Sequence, residues 1–528
     1  MPTVMKTREK HPGSCRKNDV FTPKIKDSST CRIHADAMAG WNISLSFGIM
    51  ELVRKGFRRL HLYDFLNGFK EKGVPLGYVV ELMCIHQLSG GAYMNKCETD
   101  SSSPLAREEL CHGYVISRKT MERALDLLDT YFEDTISFLW GRLKGIYPDL
   151  DTDVYVDGSH IVRYGSKGEN TAAGEGGGTI QLQDQFVVAQ LAKSGLPISI
   201  ELYPGNWNDP PQYQDFIPQL MFMLKEGSRI IMDAGGSDKA LLDEIKESGM
   251  RYRTRVKMNK SDEQMIDECP DRMQYLDRGM IVIAHRFESS GKTNYLFFSA
   301  DRYVMGQAAA ERRAAKLAQQ MTDARDIMKE PKIGKLVTVK RNPFYDVMIK
   351  SFEIQMKLNP WLDGDILLAA KEEAGDRCGW FKLQSSEWME PSEALDIYRH
   401  RVGIEHLISS IKSVVNLKPL RVWSRSSVRG SLMLALIAQL QISVLRYDME
   451  PDIIEKMVDG KRTRIEHKPS AKTIIENLIH WTVTLIPRDG WNIERIFSNE
   501  TDLTREISEI LKRYRGCFYR HSARLWRI

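Results

Sequence analysis

Cys-x-x-Cys pairs are missing, although the chain of 528 residues carries eight cysteines. The scatter of Cys15, Cys31, Cys84, Cys97, Cys111, Cys269, Cys378 and Cys517 implies neither a disulfide framework nor a zinc ribbon. Reduced thiols in a cytosolic protein are the expectation. No secretory signal is recognised at the start of the sequence. Long hydrophobic runs are scarce too. The longest uncharged apolar stretch lies between Arg429 and Arg446, is short for a membrane span and contains Gln439 and Gln441, so a buried core helix is expected. Neither sign of charge dominates: the net value of +5 is weak grounds for a nucleic-acid partner. Together these absences predict a soluble, cytoplasmic protein.

What is present is an ordinary globular composition, 42% hydrophobic and 27% charged, in a chain long enough for two to four domains. Positive charge gathers at the start, in Lys6, Arg8, Lys10, Arg16, Lys17, Lys24, Lys26 and Arg32. Residues 1–40 therefore read as a basic arm, either a phosphate-binding segment or a solvated tail. Residues 41–150 read as helical. Ser117 is a candidate N-cap for one helix or two over 117–146, and Ser117–Leu128 could serve as a DNA recognition helix or be a plain surface helix with a basic start.

The pattern changes at 153. Strands are expected over Asp153–Tyr164, Phe186–Ala192, Leu196–Tyr203, Arg229–Met232 and Arg251–Val256. Helices are expected over Asp209–Leu224 and Asp238–Ser248, the second capped by Ser237. The glycine run Gly174–Gly178 reads as a flexible loop, since it lacks the strand–helix setting of a phosphate-binding GxGxxG. Strand, hairpin, helix, strand, helix, strand is an order that suits an α/β, RNase H-like mixed sheet flanked by helices, although other α/β folds fit nearly as well. The expected division is a catalytic core over 151–257, a β-rich insertion with one charged helix over 258–385, a second core segment over 386–447 and a C-terminal region over 448–528.

The most informative stretch is Tyr398-Arg-His-Arg401-Val-Gly-Ile-Glu405-His-Leu-Ile-Ser-Ser-Ile-Lys412. On a regular helix, Tyr398, Arg401, Glu405 and Lys412 fall within a stripe about 60° wide. That stripe borders the apolar face formed by Ile397, Ile404, Ile408, Ile411 and Val415. A carboxylate there is flanked by two cations. A simple i,i+4 salt bridge between Arg401 and Glu405 is a common feature of helices, but it gives Lys412 no part.

This spacing resembles the Tyr-Arg-Glu-Lys motif of a group of insertion-sequence transposases of the DDE class, whose catalytic core is RNase H-like. Tyr155-Val-Asp157-Gly-Ser159 resembles the strand that bears that family's first aspartate, and Ile230-Ile-Met-Asp233-Ala-Gly235 the later strand that ends in the second. Pro204-Gly205-Asn206 with Asp209, and Leu417-Lys-Pro419-Leu-Arg-Val-Trp423, resemble the flanking segments. The resemblance implies catalysis by Asp157, Asp233 and Glu405 holding two Mg²⁺ (or Mn²⁺) ions, with Arg401, Lys412 and Tyr398 contacting phosphates. It also implies a homodimer on DNA, engaging terminal inverted repeats and target DNA. Oxygen-rich ligands suit Mg²⁺, and paired ions activate the attacking oxygen and stabilise the leaving one. Trp380 and Trp388, near the end of the insertion, are candidates for stacking on a base but more simply for packing. The same residues would also suit a degenerate or repurposed DNA-binding protein, or a hydrolase using paired carboxylates. The hydrolase gives no reason for Tyr398, Arg401 and Lys412 around Glu405.

Overall fold

The structure is a computed structural model that describes most of residues 43–309, 379–458, 461–487 and 493–514. The basic arm and nearly all of residues 310–378, the middle of the insertion, lie outside the described residues. The chain divides into two compact units, Arg253–Tyr398 and the sequence on either side of it.

In the first unit, strand β1 (Ile43–Ser46) leads into helices Phe47–Arg59, Leu62–Asn67, Leu76–Leu88, Met94–Asp100, Pro104–Cys111, Arg118–Thr130 and Phe132–Ile146. The expected helix over 117–146 is two helices, broken at Tyr131, whose backbone leaves the helical region. Ser117 caps the first of them through a bond from Thr120 N. The helical region has a polar centre: buried Glu81 takes bonds from Arg54 (2.7 Å), Tyr63 (2.8 Å) and His112 (2.7 Å). Burial opposes its charge, yet His112 and Arg54 hold the Glu81 carboxyl down at about 2.

The sheet of this unit contains β2 (Val154–Val162), β3 (Ala172–Gly176), β4 (Thr179–Leu191), β5 (Pro197–Pro204) and β6 (Arg229–Met232). Its order is β5 and β3 on β4, then β2, then β6; β2 and β4 are antiparallel, β2 and β6 parallel. This mixed sheet matches the expected α/β core. One expectation fails: Gly174–Gly176 is not loop but part of β3, paired with Ile180, Gln181 and Thr179. The reason is close approach. A Cβ at Gly174 would stand 2.1 Å from Gly205 O, and one at Gly205 would stand 1.8 Å from Gln183 O. Glycine is required for two backbones to cross here, not for freedom of a turn. We expect Gly205→Ala to destabilise the chain by about 1–3 kcal/mol, read as a lower urea midpoint with an unchanged slope.

The helix Asp209–Met221 follows β5, and Lys239–Glu247 follows β6. The cap of the latter is Asp238, which accepts from Ala240 N and Leu241 N; Ser237 instead donates to Ala234 O, closing the turn before it. Strand β7 (Arg251–Val256) then carries the chain into the second unit.

The second unit contains helix Lys260–Glu268 and strands β8 (Gln274–Leu276), β9 (Ile281–Ser289), β10 (Lys292–Ser299) and β11 (Trp380–Ser385), followed by helix Pro391–Arg399. β11 pairs with both β10 and the later residues of β7, all antiparallel. Tyr295, Phe297, Phe381 and Leu383 form its core with Met389 and Leu395. Trp380 packs beside Phe298, ring centres 5.2 Å apart, and Trp388 lies under the Arg286 guanidinium at 4.9 Å.

After the second unit come helices Val402–Ser409 and Arg425–Asp448, the ribbon of β12 (Asp452–Val458) and β13 (Lys461–His467), helix Ala471–His480, strands β14 (Thr482–Pro487) and β15 (Ile493–Ser498), and helix Asp502–Lys512. The Arg425–Asp448 helix is long and apolar enough to cross a membrane by composition, but Val428–Leu445 is almost wholly buried, as expected of a core helix. Arg429 at its start bonds Glu201 of β5 and also pairs with Asp129 and Glu133.

Candidate active site

The parallel register of β2 and β6 sets the first two acids. Tyr155 is opposite Ile231, so Asp157, within β2, and Asp233, just past the end of β6, each lie two residues farther along on neighbouring strands. Strand alternation keeps both side chains on the same face as those partners. Gly158 N donates to Asp157 Oδ1 (3.0 Å) and Gly235 N to Asp233 Oδ1 (2.9 Å). Burial, helped by the negative charge of Asp233, pushes the Asp157 carboxyl up to about 6 in spite of Arg401.

The third acid arrives from a sequence-distant helix. Arg401 joins it to the first: its guanidinium is 2.8 Å from Asp157 Oδ2 and 2.8 Å from Glu405 Oε1. The Asp157 and Arg401 side chains are largely buried, whereas Glu405 is 52% exposed. The i,i+4 pair expected between Arg401 and Glu405 is thus present, but it is half of a bridge that reaches the sheet.

Lys412 Nζ donates to Ser159 Oγ (2.6 Å), two residues beyond Asp157 on β2. Burial, and then the nearby Lys418, lower its pKa to about 8 while Asp157 opposes them. The regular helix assumed for this stretch is not what forms. The Pro391–Arg399 helix ends before Arg401, with Gly403 N bonded to His400 O and Ile404 N to Arg401 O in tighter turns. After Ser409 the backbone widens into a π turn over Ser410–Val414, closed by Val415 N to Ser410 O (2.9 Å). The first break lies at His400 and Arg401, and Gly403 is already inside the next helix. Buried Ser410, bonded to Gln439 (2.7 Å), anchors the second. Tyr398 belongs to the second unit, where it packs against the Tyr295–Phe381 cluster.

Two further groups escaped the sequence pattern as site residues. Buried Tyr213 donates to Asp233 Oδ1 (3.2 Å). Asp209, one turn earlier on the same helix, faces Gly235: a Cβ there would stand 2.8 Å from Asp209 Oδ2. Loss of solvent and the charge of Asp233 push the Asp209 carboxyl up. The only signal for either was Asp209 following Pro204-Gly205-Asn206.

Asp157, Asp233 and Glu405 offer carboxylate oxygens only, the donor chemistry of Mg²⁺ or Mn²⁺. The mutual repulsion of Asp157 and Asp233 is what a cation between them would relieve. Among the described residues, no three His, Cys, Asp or Glu side chains already stand grouped around one metal position. In this arrangement Arg401 supplies the positive charge between Asp157 and Glu405.

The candidate site is thus an acidic pair on β2 and past the end of β6 of a mixed α/β sheet, joined through Arg401 to a helix that returns from far along the chain. Residues 150–440 match the transposase DDE domain family, and the chain belongs to that family. No curated protein matches it. Among solved structures it is similar to the piggyBac transposase synaptic complex with hairpin DNA, at 12% identity and a TM-score of 0.37 over 82% of this chain and 76% of that one. It is also similar to the Mos1 transposase paired-end complex with the left transposon end, at 16% identity and a TM-score of 0.15, covering 35% of this chain and 60% of that one. A pre-cleavage Mos1 transpososome matches at 15% identity and a TM-score of 0.15, over 37% of this chain and 64% of that one.

Proposed function

We propose that the protein cuts and joins DNA strands at the ends of its own insertion sequence, by a cut-and-paste route, as a transposase of the Tyr-Arg-Glu-Lys group. The observation that carries this proposal is the Arg401 bridge, which ties Asp157 on β2 to Glu405 on the helix beyond the second unit. Asp157, Asp233 and Glu405 would hold two Mg²⁺ or Mn²⁺ ions, which when bound activate the attacking oxygen and stabilise the leaving one.

The chain's own residues do the rest. Gly158 N and Gly235 N fix the carboxylates of Asp157 and Asp233, and Tyr213 orients Asp233. Arg401 holds Glu405 to the sheet and contributes positive charge beside a phosphate. Lys412, braced on Ser159, presents a second cation on the same side. Tyr398 is assigned a phosphate contact, and the terminal repeats are assigned to a homodimer acting in the cytoplasm.

The test is nicking and strand transfer on duplex DNA carrying the element's terminal repeats. We expect activity with Mg²⁺ or Mn²⁺, none with EDTA, and loss on Glu405→Gln. DNA binding with no metal-dependent nicking would instead favour a repurposed DNA-binding protein.

A further inference from the structure

Beside the acidic centre, the first unit has two adjoining hollows. One, of about 600 Å³, is lined by Glu405, Lys412 and Lys418. The other, of about 640 Å³, lies between the Leu76–Leu88 and Arg118–Thr130 helices and the segment after the π turn. Asn416 lines both. Its backbone takes a positive φ of 55°, and its side chain donates to Gln87 O (3.0 Å), which fixes the wall between the hollows.

The larger hollow has an uncommon surface. Tyr164 is 71% exposed, Tyr93 48% and Trp423 41%. Large aromatic rings gathered in the open around one cavity leave considerable apolar area in water. Two of the rings are already stacked by cations on one side: Arg421 lies 4.0 Å from the Tyr93 ring centre, and Arg163 lies 5.1 Å from that of Trp423. Formal charge within the hollow balances, with Arg118 and Arg421 against Glu122 and Asp126. Such a lining does not favour a phosphate, whereas the neighbouring hollow presents Lys412 and Lys418. A flat, polar-edged and uncharged ring suits the aromatic hollow: its faces stack on tyrosine and tryptophan, and its amino groups meet carboxylates.

We infer that the Tyr93–Tyr164–Trp423 hollow takes an unstacked nucleobase of the DNA strand whose phosphates run along Lys412 and Lys418. This rests on the proposed function, in which DNA lies at Glu405. The short continuity through Asn416 places base and phosphate in adjacent compartments of the same face.

The experiment uses the full chain and short single-stranded oligonucleotides carrying 2-aminopurine at successive positions from one end, without metal. Stacking predicts quenching at one position in particular, and roughly ten-fold weaker binding for Trp423→Ala or Tyr164→Ala. Both side chains are exposed, so these variants are expected to keep the wild-type melting curve. Blunt duplex should bind wild type and variants alike, and an abasic residue at the quenched position should cost as much as Trp423→Ala. Uniform quenching along the oligonucleotide, or unchanged single-strand affinity in both variants, overturns the assignment. So does a result in which Trp423→Ala alters only self-association in sedimentation, because the hollow then receives a second copy. Metal-dependent nicking measured in parallel separates the two proposals: quenching without nicking removes strand cleavage and leaves the hollow's ligand standing, and nicking without quenching does the reverse.

Discussion

Asp157→Ala is expected to lower metal-dependent strand cleavage on the order of 10³-fold or more, with DNA affinity nearly unchanged. The size follows from its position. Asp157 is the one acid of the three that both neighbours Asp233 closely enough to feel its charge and is tied through Arg401 to Glu405. Its loss removes a proposed metal ligand and one of the carboxylates that Arg401 bridges. The substitution truncates a side chain within β2 and leaves the backbone pairing with β4 in place, so folding should survive. Gel-based cleavage, with binding followed separately by fluorescence anisotropy, checks both halves. Cleavage within ten-fold of wild type would show that Asp157 is a strand residue with no part in the chemistry.

The largest expected effect on stability lies nearby. Arg163, immediately after β2, has a fully buried side chain paired with that of Asp184 on β4, Nε to Oδ2 3.2 Å. It also donates to the carbonyls of Leu420 and Val422, pinning the segment after the π turn to the sheet. Arg163→Ala leaves Asp184 buried beside the Thr171 hydroxyl, with no cation to balance it, and frees two carbonyls. Removing one member of a buried pair costs about 3–5 kcal/mol. The double variant Arg163→Met, Asp184→Leu should recover a substantial part of that, because the uncompensated charge is gone. Urea melts of the two single variants and the double variant decide the matter; additive losses would mean that the two groups do not act as a pair. Arg163 also underlies the Trp423 ring, so the single substitution should weaken binding of unpaired bases as well.

The strands of the core were legible from short runs of β-branched residues, as in β2, where Val154, Val156, Ile161 and Val162 mark the strand. β3 was not, because a glycine segment has no side chains to alternate, and its pairing is dictated by backbone contact with Gly205. Helix caps were misread by one residue where Ser237 and Asp238 compete, and the longer-reaching carboxylate satisfies two amides at once. At the candidate site, Arg401, Glu405 and Lys412 could be selected from motif spacing, and Asp157 and Asp233 from resemblance. How they meet could not: the Arg401 bridge and the Lys412–Ser159 bond are tertiary facts. Tyr213 was invisible because a tyrosine inside an amphipathic helix looks like core, and Asp209, noticed only beside Pro204-Gly205-Asn206, otherwise looks like a helix start before Pro210.

The π turn alters what a count of residues between Glu405 and Lys412 measures. Seven positions look like two regular turns, which would set the lysine nearly above the glutamate. Here the interval includes one wide turn, and the amine is delivered to β2 instead. The spacing is thus a ruler cut for a locally underwound helix. A chain that lost Ser413 or Val414 is expected to regain a regular helix and swing its lysine off Ser159, with every motif letter and its spacing still in place.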